Sequence, residues 1–179
     1  MAQFKVSCLK NAPLVAKDWG ANHVISLLDP ILLSSEYPHF DGLTHAIFHL
    51  FDQESKDVTK HFNQVVLNII DVLEPLVKND NARVLIHCHA GVSRSTAITY
   101  IACAMQYPIG REREAFIDFM SLVEKPWPNR RIVECGDNIL GRHGKLLVHI
   151  DAMRDKYPKR LAAYRRLNIR RGLVSPVKR

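Results

Sequence analysis

His87-Cys88-His89-Ala90-Gly91-Val92-Ser93-Arg94-Ser95 follows directly on the apolar run Val84-Leu85-Ile86. A short run of this kind, bounded by polar residues, reads as a fully buried strand. Behind the nine residues, Thr96 to Met105 carries helical periodicity, and Ala97, Ile101 and Ala104 or Met105 share one face. The segment between them is therefore a strand-to-helix turn. Its backbone N–H groups, together with the orphan donors of the helix N-terminus, face one concavity that favours an anion. Gly91 supplies the backbone freedom that such a curve needs. Arg94 adds a planar fork of donors matched to a pair of phosphoryl oxygens. In that field the Cys88 thiol loses its proton readily, and a thiolate beside a bound phosphate is an activated nucleophile. The residues His89 to Arg94 thus read as a cradle for phosphate, or for sulfate in its place, with a cysteine at its base.

The pattern His-Cys-x5-Arg-Ser resembles the signature of the cysteine-dependent protein tyrosine phosphatases. The variant HCHAGVSRS is most similar to the dual-specificity branch, whose loops commonly read HCxAGxSRS, and Thr96 to Met105 is similar to that branch's helix. A bare Cys-x5-Arg carries little weight. The preceding strand, the internal Ala-Gly and a Ser-Arg-Ser leading into a helix make the match specific. The resemblance implies an enzyme that works through a phosphocysteine intermediate without a metal or other cofactor. It implies Cys88 as nucleophile and Arg94 as the group that binds the phosphate and its transition state. Ser95 would hydrogen-bond the thiolate, and His87 would tune it. His89, Ala90, Gly91, Val92 and Ser93 would line the phosphate with Arg94.

The resemblance also implies a general acid on a separate upstream loop. Thr44-His-Ala-Ile-Phe-His-Leu-Phe alternates like a strand and exits at Asp52. The stretch Phe51-Asp-Gln-Glu-Ser-Lys-Asp-Val-Thr-Lys-His-Phe resembles the dual-specificity pattern of a catalytic Asp, a second Asp at a helix start, and then Phe. By that match Asp52 is the acid and Asp57 the N-cap of a helix running to Val77, with Asp57 and Glu54 as the alternative acids. This helix is a few residues longer than the family's usual one.

Other chemistries fit less well. Nine histidines and the run His87-Cys88-His89 suggest a metal, with His45, His49 and His61 as further imidazoles. Yet no CxxC or HExxH spacing occurs, and the four cysteines are scattered. A cysteine protease gives Gly91 and Arg94 no role. Pro126-Trp127-Pro128-Asn129 invites comparison with the Trp-Pro-Asp loop of classical tyrosine phosphatases, but it lies downstream of the cysteine and ends in Asn. A packed Trp and a helix start at Pro128 explain it better.

Phosphotyrosine on a protein is the leading substrate, with phosphoserine and phosphothreonine next. Phosphoinositides and RNA 5′-phosphates are alternatives from the same superfamily, and a non-catalytic phosphoprotein-binding module is the alternative of another class. His89 and Val92 stand where phosphoinositide phosphatases of the superfamily often carry basic residues, which argues against inositol lipids.

The chain has 179 residues, 47% of them hydrophobic, which is ordinary for one globular unit. It lacks an eighteen-residue apolar run and a signal-peptide layout. Cys8, Cys88, Cys103 and Cys135 form no disulfide framework, and nothing selects one of them as a redox partner of Cys88; a reducing cytoplasm is expected. Strands at Phe4–Cys8, from His23, at Thr44–Leu50 and at Arg83–Cys88 alternate with helices at Pro13–Trp19, ended by Gly20, and to Val77. Only helices follow: Ser95–Gln106, Arg111–Glu124, Asn129–Leu140 and Gly144–Tyr157. This alternation predicts an α/β domain over residues 1–157, a monomer with a mainly parallel sheet of four to five strands flanked by helices. The net charge of +7 is concentrated in residues 154–179, where ten Lys or Arg stand against one acid. Residues 158–179 read as a basic, solvated and partly disordered extension, in which contact with nucleic acid or anionic membrane is the less favoured use.

Overall fold

Each strand of this sheet runs parallel to its neighbours, in the order β1-β4-β2-β3, with strands β1 Gln3–Cys8, β2 His23–Leu28, β3 Thr44–His49 and β4 Arg83–Cys88. The structure is a computed structural model that describes residues 1–55 and 61–172. The two interior strands carry the continuous apolar runs: every residue of β2 and β4 after the first is buried, whereas the edge strands β1 and β3 alternate or stay half exposed. Parallel neighbours require crossover connections, and α1 Ala12–Trp19 and α2 Phe62–Val77 lie in two of the three, while between β2 and β3 there is only a short 3-10 turn at Ser34–Glu36. After β4 come, among the described residues, α3 Arg94–Met105, α4 Glu112–Leu122, α5 Arg130–Ile139, α6 Lys145–Lys156 and α7 Arg160–Arg170.

The side-chain alternation of β4 divides the core. Val84, Ile86 and Cys88 face the larger cluster built with α2 to α6, while Leu85 faces a small one made by α1, Val24, Trp19 and Phe40. α1 ends where its glycine allows, Gly20 taking the left-handed conformation at φ 69° and ψ 46°. α3 has no single apolar face: Arg94 through Ala104 are all buried, because α2, α4, α5 and the sheet surround it. A periodic stripe is therefore too narrow a description of that helix.

Three expectations need correction. α2 begins at Phe62 with His61 at its N-cap, and Asp57, expected at that cap, lies outside the described residues. The start near Pro128 falls two residues later, at Arg130, with Asn129 as the N-cap of α5 and its side-chain oxygen accepting from Ile132 N at 3.1 Å. The basic extension is helical over Arg160–Arg170, as α7. It is solvated, since none of its residues is buried, but Arg160 Nη1 donates to Pro126 O (3.2 Å) and the Tyr164 hydroxyl donates to Lys125 O.

Candidate active site

Parallel strands end on the same edge, so whatever follows β2, β3 and β4 must meet there. Register sets the meeting: Leu27 pairs with Cys88 and Leu28 with His49, which puts Asp29, Leu50 and the loop 89–93 in one layer. The loop is pinned from both sides. Leu9 N donates to His89 O (3.2 Å), and the Thr96 hydroxyl donates to Val92 O and Ser93 O from the first turn of α3. Gly91 is obligatory for two reasons. Its φ is 71°, and a Cβ there would stand 2.8 Å from the Ser7 carbonyl carbon and oxygen. Cys88, 1% exposed, has its Sγ 3.1 Å from Ser95 Oγ, so a hydroxyl is in place to donate to a thiolate.

Arg94 is held by Asp29, at the exit of β2. Its Nη1 donates to Asp29 Oδ1 (3.0 Å) and to Leu50 O (2.6 Å), and its Nη2 donates to Asp29 Oδ2 (3.2 Å). Nε is buried without a partner. Of five guanidinium hydrogens, the one on Nε and the second on Nη2 are left to bind an anion. Burial alone would weaken the charge on Arg94, but Cys88, Asp29 and Asp52 outweigh it and raise its basicity.

His87 lies on the other side of β4 from Cys88 and is fully buried. Ser26 Oγ stands 2.5 Å from His87 Nε2 and 2.7 Å from His45 Nε2, and the Phe40 ring packs on both imidazoles. Two of the histidines considered as metal ligands thus meet around a hydroxyl. Burial, with His45 and Arg94 adding, lowers His87 to about 4, so the ring is neutral near pH 7.

Asp52 leaves β3 through Leu50 and Phe51 and reaches the loop. Its Oδ1 accepts from Ser93 Oγ (2.6 Å) and from Asn129 Nδ2 (2.9 Å). Glu54 is differently occupied: Arg154 and the backbone N–H of Arg130 donate to it. Burial would raise its carboxyl, but these donors and cations hold it below the ordinary carboxylate range. A carboxylate held ionised in this way is a poor proton donor, which disfavours Glu54 against Asp52. The stretch 126–129 braces both Asp52 and the loop 89–93. Trp127 N donates to Val92 O (3.1 Å), Arg154 lies over the indole at 5.0 Å, and Asn129 grips Asp52.

Sequence reading missed Asp29, Ser26 and Asn129, and it considered His45 only as a metal ligand. The available signal for Asp29 was its position, a carboxylate at the exit of a strand parallel to the one that bears the loop. Ala90, Val92 and Ser93 line a cleft of about 640 Å³ together with Asp52, Trp127 and α7. His89 is half-buried beside them.

These features agree with what the chain resembles. A family model described as "Dual specificity phosphatase, catalytic domain" matches residues 14–130, which takes in β2 to α4, Asp52 and the whole loop. "Putative tyrosine phosphatase 123R" of Invertebrate iridescent virus 6 is 32% identical over 92 residues, half of this chain; the match spans 61% of that protein's length. Among solved structures, the human tyrosine phosphatase-like serine/threonine/tyrosine-interacting protein superposes with a TM-score of 0.56 at 19% identity, over 78% of this chain and 92% of that one. The Cydia pomonella PTP-2 phosphatase does so with a TM-score of 0.54 at 21% identity, over 76% and 84%. The likeness to both structures lies in the fold, while the family match extends over the loop and the strand that leads to Asp52. The chain belongs to the dual-specificity phosphatase family of the cysteine-dependent protein tyrosine phosphatase superfamily.

Proposed function

We propose that this chain hydrolyses phosphotyrosine on proteins, and phosphoserine or phosphothreonine less readily, through a phosphocysteine intermediate. The observation that carries this reading is the convergence of Cys88, Arg94, Ser95 and Asp52 on one loop at the C-terminal edge of the sheet. The Cys88 thiolate attacks phosphorus, forming the S–P bond as the P–O bond to the phenol breaks. The proton held by Asp52 goes to the departing oxygen. Water then attacks the phosphocysteine and gives its proton to Asp52. The S–P bond breaks, phosphate leaves, and the thiolate is received by the Ser95 hydroxyl. Arg94 and the loop N–H groups stabilise the equatorial oxygens in both steps, an electrostatic contribution made before the reaction starts.

Asn129 and Ser93 hold Asp52 beside the loop from two directions, which supports it as the acid. We place the enzyme in the cytoplasm. Its four cysteines are unpaired, and burial pushes Cys103 up to about 12 and Cys135 up to about 11, so both stay as inert thiols.

Hydrolysis of p-nitrophenyl phosphate tests the reading. Wild type should turn over, Cys88→Ser should be inactive, and Asp52→Ala should lose about 100-fold or more in kcat. Turnover that survives Cys88→Ser would remove the covalent mechanism. An inactive wild type that still binds phosphotyrosine would make this a binding module.

A further inference from the structure

α7 lies outside the core. It buries no residue, so the core gains little from it. Arg160, Tyr164 and Asn168 recur at four-residue spacing and form the half-buried stripe that turns toward the body. Arg160 and Tyr164 anchor it to the carbonyls of Pro126 and Lys125, and Lys125 is held in the left-handed region at φ 49°. The helix then runs beside the catalytic loop and walls the cleft of about 640 Å³ opposite Val92 and Trp127, presenting Leu161, Tyr164, Arg165 and Asn168. The cleft also contains Ser93 and Asp52, so α7 borders the space beside the loop.

The lining has a definite character. Val92, Trp127, Leu161 and Tyr164 give it two apolar walls, and Leu161 is 55% exposed. Among the described residues that line it, Arg165 is the single cation, facing the carboxylates Asp52 and Glu54. Arg154 already neutralises Glu54. A polyphosphate or a nucleic-acid backbone would bring several negative charges to a wall with one cation and an acid. An aryl group with a single carboxylate nearby complements the same wall.

We propose that α7 is a substrate-recognition element: Leu161 and Tyr164, with Val92 and Trp127 opposite, clasp the aryl ring of a phosphotyrosine, and Arg165 pairs with an acidic side chain beside it in the peptide. This rests on the phosphatase reading above and narrows its substrate to acidic phosphotyrosine segments. A basic helix that would otherwise serve any anion thereby becomes selective through its place beside the loop.

Binding by the full-length Cys88→Ser protein tests the proposal, because it can be read whether or not the wild type turns over. Two labelled phosphotyrosine peptides, one flanked by Asp and Glu and the other by Asn and Gln, are titrated by fluorescence anisotropy. The protein should prefer the acidic peptide, and Arg165→Glu should reduce that preference about fivefold, the scale of an exposed charge contact reversed. Arg166→Glu makes the same change in net charge from a residue that does not line the cleft, and it should leave the preference as it was. Equal losses in the two variants would show long-range charge alone, and an unchanged ratio in Arg165→Glu would remove the contact; either result overturns the proposal. So would tighter binding of a 5′-phosphorylated RNA, or of phosphoinositide vesicles, that depends on Arg165. Failure of the wild type to hydrolyse p-nitrophenyl phosphate would count against the catalytic reading and leave the binding ratio to decide this one.

Discussion

At the residue scale, the loop is specified by its own sequence, but its neighbours tune it. Gly91 takes the left-handed conformation, Arg94 opens α3 and Ser95 stands beside Cys88, and each was legible because the turn is local. His87 is different, since its protonation depends on Ser26 and His45, which are far away in sequence. Its folded value of about 4 lies below the ordinary 6.5. Between these values the unfolded chain takes up a proton that the folded chain refuses, so stability falls as pH drops from 6.5 toward 4. The loss from this group is about 3 kcal/mol at most, and it is complete below pH 4. His45, also lowered by burial and by His39, adds to it in the same direction. Urea unfolding at pH 7 and at pH 4.5 should therefore show His87→Asn losing about 2 kcal/mol less than wild type between the two conditions. Equal losses would mean that His87 is not held neutral.

At the element scale, helix termini and strand ends place the chemistry. Asn129 illustrates the double use of one cap. Its Oδ1 starts α5 and its Nδ2 holds Asp52. The two duties separate on substitution. Asn129→Ser keeps a cap acceptor and loses the amide that reaches Asp52, so denaturant unfolding should stay within about 0.5 kcal/mol of wild type. Its kcat should fall about tenfold, with KM little changed, because on the proposed mechanism the acid loses its support. Asn129→Ala loses both and should in addition unfold about 1 kcal/mol more easily. A matching kcat for Asn129→Ser and wild type would mean that Asp52 needs no support from α5. The capping role was readable from the position after Pro128. The grip on Asp52 was not, because it joins residues 77 apart.

At the scale of the whole molecule, the sheet is complete without the last helix. We propose that residues 1–157 fold on their own, and a chain ending at Tyr157 tests this. It loses eight Lys and Arg and no acid, yet no buried side chain among the described residues of α7. Urea unfolding of the shortened chain should be cooperative and within about 1 kcal/mol of the full chain, since surface contacts of this kind contribute little. A larger loss would make α7 part of the fold. The sequence by itself determined the parallel α/β class, the strand-to-helix loop 89–93 and the strand that leads to Asp52. Each of these follows from periodicity, turn chemistry or spacing within a few dozen residues. The tertiary structure alone decided that Asp29 grips Arg94 across 65 residues, that Ser26 joins His45 to His87, and that α7 walls the cleft. Alternation tells which face of a strand a side chain takes, but only strand order and register tell which neighbour it meets there.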